Sequence, residues 1–354
     1  MKKVNWKKAC TGNGLTYAIV ILAYILVQIL ERTGNLSSLF QGLLVQLCTY
    51  AILAVSLNLV VGILGELSLG HAGFMCVGAF SSAFFSKCTM YTITNGNIRF
   101  ILAILVGALC AALFGILIGI PVLRLKGDYL AIVTLAFGEI IKNVVNVLCI
   151  GKDHKGFHIA INKTIGLVDK DGTMIVKGAQ GITGTPNDST FTKGIVLVII
   201  TIFIVTNLTN SRTGRAIMAI RDNRIAAESV GINITKYKLL SFAISAALAG
   251  VGGVLYAHNL STLTATPKNF GYNMSILILV FVVLGGIGSI RGSIIAAVIL
   301  TILPEKLRFL NTYRMLIYAV VLIVLMLFNW SPKCRELRER YSLKRLFVKK
   351  KEVK

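Results

Sequence analysis

Arg99-Phe-Ile-Leu-Ala-Ile-Leu-Val-Gly-Ala-Leu-Cys-Ala-Ala-Leu-Phe-Gly-Ile-Leu-Ile-Gly-Ile-Pro121 carries no charged residue after its first. A helix needs about 20 consecutive apolar residues to cross a hydrocarbon core, so this stretch is long enough to span a membrane. Gly107, Ala111, Gly115 and Gly119 recur at every fourth position and therefore share one helix face. Small residues on one face let a second helix approach closely, and Ser245, Ala249, Gly253 and Ala257 repeat the pattern. Both stripes read as packing faces of a tight helical bundle.

Working outward, comparable apolar runs lie near 43–62, 67–86, 129–149, 239–257 and 313–330, with shorter candidates near 15–30 and 195–209. The stretch 274–304 is interrupted by Gly285-Gly-Ile-Gly-Ser-Ile-Arg-Gly292, which favours two short or tilted segments meeting at an arginine-bearing turn. The expectation is an all-α polytopic membrane protein of about ten transmembrane helices, some short or discontinuous, within 15–330. Three basic residues in the 305–314 connection leave nine or fewer spans as the alternative. Composition agrees: 55% hydrophobic residues, 14% charged and a mean hydropathy of +0.78 exceed what a soluble domain of 354 residues can bury.

The formal charge of +23 would suggest nucleic acid in a soluble protein. Here the basic residues sit between apolar runs and at the ends, so the charge is topological and no nucleic-acid partner is expected. With the amino terminus inside, 23 Lys and Arg fall on inside segments and 13 outside. Residues 1–14 then form a cytoplasmic leader, 151–194 an extracytoplasmic loop, 210–238 a cytoplasmic loop and 331–354 a basic cytoplasmic tail. The leader lacks a small-residue cleavage pattern before Glu31-Arg32, and 15–30 reads as a first span rather than a signal peptide. The seven cysteines are scattered and without a CxxC pair, which suits apolar packing.

The loop 151–194 mixes Lys, Asp and eight Gly, and is expected to form a small folded or half-ordered cap. His154 and His158 stand four apart, but no Cys or carboxylate cluster completes a metal site. Phosphate-binding glycine loops, HExxH and GxSxG are absent, and carboxylates are not paired at catalytic spacing. The chain therefore does not read as an enzyme, and no cofactor is expected in it.

Polar residues inside spans are costly and need partners or a wet path. Glu139 and Lys142 stand three apart on one helix and can pair, either as a neutralised packing pin or as a wall of a translocation path. Asn58, Glu66, Ser68 and His71 cluster around the break between the second and third spans, where Gly62, Gly65, Gly70 and Gly73 allow a broken helix or a close packing joint.

Between 210 and 238 lies Ser211-Arg-Thr-Gly-Arg-Ala-Ile-Met-Ala-Ile-Arg-Asp-Asn-Arg-Ile-Ala-Ala-Glu-Ser-Val-Gly231. It is expected to form a short amphipathic helix with Ile217, Ile220 and Ile225 near one face and Gly231 as its stop. Its mixed Arg and apolar surface suits docking of a cytosolic partner better than lying on anionic lipid.

Ala226-Ala-Glu-Ser-Val-Gly231 resembles the coupling loop of ABC importer permeases. Leu57-Asn-Leu with Ser68-Leu-Gly-His-Ala-Gly-Phe74, Arg124 through Glu139, and Leu284-Gly-Gly-Ile-Gly-Ser-Ile-Arg-Gly292 resemble the branched-chain amino acid permease family of LivM type. The likeness runs from about residue 45 to 330. It implies a type II ABC importer-like permease bundle that pairs with a second permease of LivH type. It also implies an extracellular binding protein delivering leucine, isoleucine or valine, and two cytosolic ATPases that bind the Mg-ATP. Coupling would fall to Arg215, Ala226, Ala227, Glu228 and Gly231, and the candidate path to Asn58, Glu66, Ser68, His71, Glu139 and Lys142. The chain departs from the pattern in having Ala-Ala-Glu for Glu-Ala-Ala, and Glu66 where an uncharged Gln is more usual. A urea permease of the same class and an ion-coupled secondary transporter using Glu139 are the alternatives.

Overall fold

The computed structural model describes residues 6–33, 38–123, 125, 127–153, 156–161, 173–308 and 313–330. Arg124, Lys126, His154 and the tail 331–354 lie outside the described residues. The chain divides into two compact units, Met1–Ala297 and Val298–Lys354.

Ten apolar helices follow one another among the described residues: α1 (Trp6–Arg32), α2 (Ser38–Asn58), α3 (His71–Cys88), α4 (Gly96–Val122), α5 (Asp128–Val147), α6 (Phe191–Asn210), α9 (Ile234–Ala257), α11 (Tyr272–Gly285), α12 (Ile290–Lys306) and α13 (Arg314–Trp330). Short helices α7 (Arg212–Asp222), α8 (Arg224–Ser229) and α10 (Pro267–Phe270) lie between them. The order matches the ten expected spans, including the division of 274–304 at Gly285 and Ile290. Among the described residues, six helical segments combine enough length and hydropathy to cross a membrane, counting α2 with the turn that continues it and α11 with α10.

The first unit is built around α2 and α9, whose spanning windows are 89% and 78% buried, whereas α4 is only 28% buried. On α4 the two faces explain the difference. Ile101, Leu105, Leu109, Leu113 and Leu117 form an exposed apolar ridge at i,i+4 spacing, a face suited to hydrocarbon and not to water. The opposite stripe is rich in glycine for a reason: a β-carbon on Gly107 would lie 2.3 Å from Val254 Cγ2, and one on Gly115 2.6 Å from Ala246 Cβ. The α4 stripe therefore meets α9, as expected for a packing face. The second stripe of α9 points elsewhere, with Gly253 against the Met75 carbonyl of α3 and Ser245 Oγ donating to the Ser56 carbonyl of α2 at 2.6 Å.

The loop 151–194 contains β structure that the helical reading did not resolve. Strands β1 (Leu148–Asp153), β2 (Gly156–Ile161) and β3 (Thr173–Lys177) form an antiparallel sheet in the order β2-β1-β3. A second ribbon pairs β4 (Ile182–Thr183) with β5 (Thr262–Leu263), which follows α9. Arg99 fastens this region to α4 through a bidentate bond to Asp188, Nε to Oδ2 and Nη2 to Oδ1 at 2.8 Å each. Lys87 Nζ donates to the Thr183 carbonyl at 2.7 Å. The ends of α3 and α9 thus share one end of the bundle with the start of α4 and α6.

Candidate functional site

The opposite end of the bundle holds the junction of the two glycine breaks. After Asn58, α2 continues as a wide π-helical turn, Leu59–Leu64, and ends at Gly65 in the left-handed region with φ of 80°. The N–H groups of Gly65 and Glu66 both turn back to the Val60 carbonyl. The Gly62 carbonyl, which an α-helix would satisfy with residue 66, is left open. Arg221 of α7 occupies it, Nη1 donating at 3.1 Å. The arginine stem crosses Gly65, where a β-carbon would lie 2.6 Å from Arg221 Cγ.

The second break meets the first at Asn58, which is 1% exposed. Its Oδ1 accepts from Gly288 N at 2.9 Å and its Nδ2 donates to Ser293 Oγ at 3.0 Å. Gly286 and Gly288 have φ of 93° and 82°, a conformation that L side chains resist. Gly62 also lies against the Gly288 backbone, so the absence of side chains on both breaks permits their approach.

Above this junction, most polar groups of the first break are met by other elements. Glu66 pairs with Lys238 of α9, the two side chains being 16% and 5% exposed. His71 Nε2 lies 2.7 Å from Ser56 Oγ on α2. Leu69 N donates to Thr134 Oγ1 of α5 and Ala72 N to Ser275 Oγ of α11, both at 3.0 Å. Glu139 pairs with Lys142 and accepts from Tyr272 N at 2.7 Å, joining α5 to α11. Ser68 is buried, and its hydroxyl has no hydrogen-bond partner among the described residues.

The connection from α6 to α9 is divided by three side-chain caps. Ser211, Asn223 and Asn233 accept from Gly214 N, Ala226 N and Lys236 N at 3.1, 3.0 and 3.0 Å. Asn223 is extended, with φ of −154° and ψ of 108°, so the expected single helix is two. That break shifts the helical phase. Ile217 and Ile220 are buried, but Ile225 is 81% exposed and does not share their face. α8 closes in a Schellman turn: Gly231 N donates to Glu228 O and Ile232 N to Ala227 O, with Gly231 at φ of 81°. Ala227 is buried beside Ile220 and Ile234. Arg215, Ala226 and Glu228 are exposed, as is Val230, so the outer surface of α8 is apolar and charged at once.

Residues 39–327 match the family described as branched-chain amino acid transport system / permease component. The chain belongs to this family. It is 34% identical over 294 residues to the high-affinity branched-chain amino acid transport system permease protein LivM of Salmonella typhimurium, covering 80% of this chain and 67% of that one. The nucleoside ABC transporter permease protein NupC of Lactococcus lactis is 29% identical, over 56% of this chain and 60% of its own. LivH of Salmonella typhimurium, described as a permease protein of the same high-affinity system as LivM, is 26% identical, over 71% and 79%. No solved structure shows a significant match. The chain is thus a multi-pass membrane permease subunit and not an enzyme.

In this permease the four residues grouped around the first break do not form one constellation. Asn58 binds the second break, Glu66 binds α9, His71 binds α2, and Ser68 stands among them. Glu139 and Lys142 form a separate joint on α5. The residues that join these elements and that the motif reading passed over are Arg221, Lys238, Ser56, Thr134, Ser275 and Ser293. A signal for Lys238 was present: Glu66 at membrane depth requires an opposite charge, and Lys238 begins the next span on the same side.

Proposed function

We propose that the chain is one permease subunit of an ATP-driven importer for leucine, isoleucine and valine. It forms half of the pathway with a second permease of LivH type, receives solute from an extracellular binding protein and is driven by two cytosolic ATPases that bind the Mg-ATP. The α7–α8 end faces the cytoplasm, as do both termini, in a bacterial or archaeal plasma membrane. The solute follows from the likeness to LivM, which is closer and covers more of the chain than the likeness to NupC.

The bond from Arg221 to the Gly62 carbonyl carries the mechanistic reading. α7 and α8 offer a docking surface of Arg215, Ala226, Glu228 and Val230, and Asn223, which follows α7 directly, caps α8. Closure of the ATPases against α8 would move α7, and Arg221 would deliver that movement to the place where both glycine breaks meet. Asn58 would pass it to α12 through Ser293. Glu66, Ser68 and His71 would then lie where the path changes access, with Glu139 and Lys142 bracing α5 against α11.

The test is uptake of labelled leucine at low external concentration in the native host, with and without the gene, and with ATP depleted. Loss of an ATP-dependent component, restored by the gene, supports the reading. Intact leucine, isoleucine and valine uptake together with lost uridine or urea uptake would overturn the solute and retain the importer.

A further inference from the structure

A polar cavity of about 380 Å³ opens beside the junction, lined by Thr16 of α1, Thr206, Thr209 and Asn210 of α6, and Ser289 and Arg291 at the start of α12. Among the described residues no carboxylate lines it. Arg291 Nε donates to Thr16 Oγ1 at 2.7 Å, which fixes the plane of the guanidinium; among the described residues its remaining N–H groups have no partner. Arg215 Nη1 holds the Asn210 carbonyl at 3.1 Å and brings a second cation to the rim. The 17-residue helix α12 begins here, so the positive end of its dipole adds to both.

Thr206 supplies an independent observation. It is 8% exposed and its hydroxyl has no partner among the described residues. Neighbouring threonines on the same helix donate one turn back, Thr201 to Leu197 at 2.8 Å and Thr209 to Val205 at 2.7 Å. A buried hydroxyl left unpaired is unfavourable, and a ligand oxygen in the cavity would satisfy it.

We propose that this cavity binds a phosphate group, held by the Arg291 guanidinium, the Thr206 hydroxyl and the start of α12. A guanidinium with both terminal NH2 groups open matches a phosphate oxygen pair better than it matches a neutral solute. The walls above favour a phospholipid as the source: Ile19 and Leu22 on α1 and Phe203 on α6 are 38%, 66% and 53% exposed and form an apolar track along which acyl chains can lie. The site stands whichever solute the permease carries. Because Ser289 and Arg291 lie in the second break, its occupancy would stiffen the turn that Asn58 grips.

The full-length chain in mild detergent is titrated with palmitoyl-oleoyl phosphatidylglycerol, with the diacylglycerol of the same chains, which lacks the phosphate, and with glycerol 1-phosphate, and bound adducts are counted by native mass spectrometry. One phosphatidylglycerol should bind about tenfold more tightly than the diacylglycerol. Arg291→Gln should remove that preference, Arg291→Lys should retain most of it, and Thr206→Val should weaken it about threefold. Competition by glycerol 1-phosphate at equal concentration would support the phosphate site and assign a soluble ligand to it. Unchanged phosphatidylglycerol binding in both Arg291→Gln and Thr206→Val, or no preference for either phosphate ligand over the diacylglycerol in the native chain, would overturn the proposal.

Discussion

Gly62→Ala should force the two glycine breaks apart. A β-carbon on Gly62 would lie 2.4 Å from Gly288 N and 2.7 Å from Gly288 Cα, and 2.0 Å from Asn58 Oδ1. Side-chain carbons essentially never come within 3.0 Å of such atoms, so the Gly288 backbone must retreat by at least about 0.6 Å. The Asn58 amide must also turn away, which ends its bonds to Gly288 N and Ser293 Oγ. Overpacking of this kind costs about 1–3 kcal/mol. Leaving the buried Gly288 N–H without its acceptor costs about 1–3 kcal/mol more. The helix propensity gained over glycine returns at most about 1 kcal/mol. The net expectation is a loss of about 1–6 kcal/mol, together with loss of import, because in the proposed coupling the joint between the breaks must move as a unit. Thermal unfolding in mild detergent, read beside leucine uptake, measures both. Gly42→Ala is the control: it lies on the same helix with nothing within 4 Å of the added carbon, and it should be neutral or slightly stabilising. If Gly62→Ala is as stable and as active as Gly42→Ala, the close contact of the two breaks is wrong.

Arg221→Ala removes the only described bond between α7 and the Gly62 carbonyl, and the assembled complex should hydrolyse ATP while leucine import falls at least tenfold; normal import would end the coupling role. Gly231→Pro demands φ near −65° where the chain holds 81° and deletes the donor to Glu228 O. It should abolish import while the protein still inserts, and Arg215→Glu should do the same by reversing charge on the docking surface. Glu66→Gln leaves the buried Lys238 ammonium unpaired and should destabilise by about 3–5 kcal/mol; Glu66→Gln with Lys238→Met should recover most of this in a double-mutant cycle of thermal unfolding. Asp188→Ala strands Arg99, 8% exposed, at the other end, and should lower the unfolding midpoint without uncoupling ATP hydrolysis from residual import.

The ten helices were legible because each rests on a local property, an apolar run of sufficient length bounded by charge or glycine. The division at Gly285–Gly292 was legible for the same reason. What was not legible depends on pairing across distance. Asn58 and Ser293 are 235 residues apart, and nothing near either names the other. The strands of 148–183 have no long alternating pattern, since β1 is stabilised by neighbours on both sides and continues directly from α5. The one-helix reading of 211–231 failed at Asn223: its capping side chain competes with helical continuation, and a single asparagine within an otherwise helical pattern is weak warning. Ile225 was placed on the wrong face as a direct result. By contrast Gly231 was read correctly as a stop, because a left-handed terminus is a requirement glycine meets locally.

Glu66 looked anomalous where an uncharged residue was expected, and Lys238 explains why it is tolerated. The pair joins the first break to α9, so the departure concerns a joint and need not alter the solute. The same reasoning applies along the whole break. A membrane helix that ends early must satisfy its backbone groups from elsewhere. Here Thr134 and Ser275 receive two of its N–H groups, and Val60 receives two more through the π-helical turn. The Gly62 carbonyl is satisfied by a residue outside the bundle, Arg221. A break that closed entirely on itself would leave α7 packed through Ile217 but without a hydrogen bond to the first break. Because the Gly62 carbonyl is completed by Arg221, any displacement of α7 must either carry the first break with it or leave that carbonyl unpaired. In the proposed coupling, that choice, set by one hydrogen bond, is how movement at the surface of the bundle would become movement at its core.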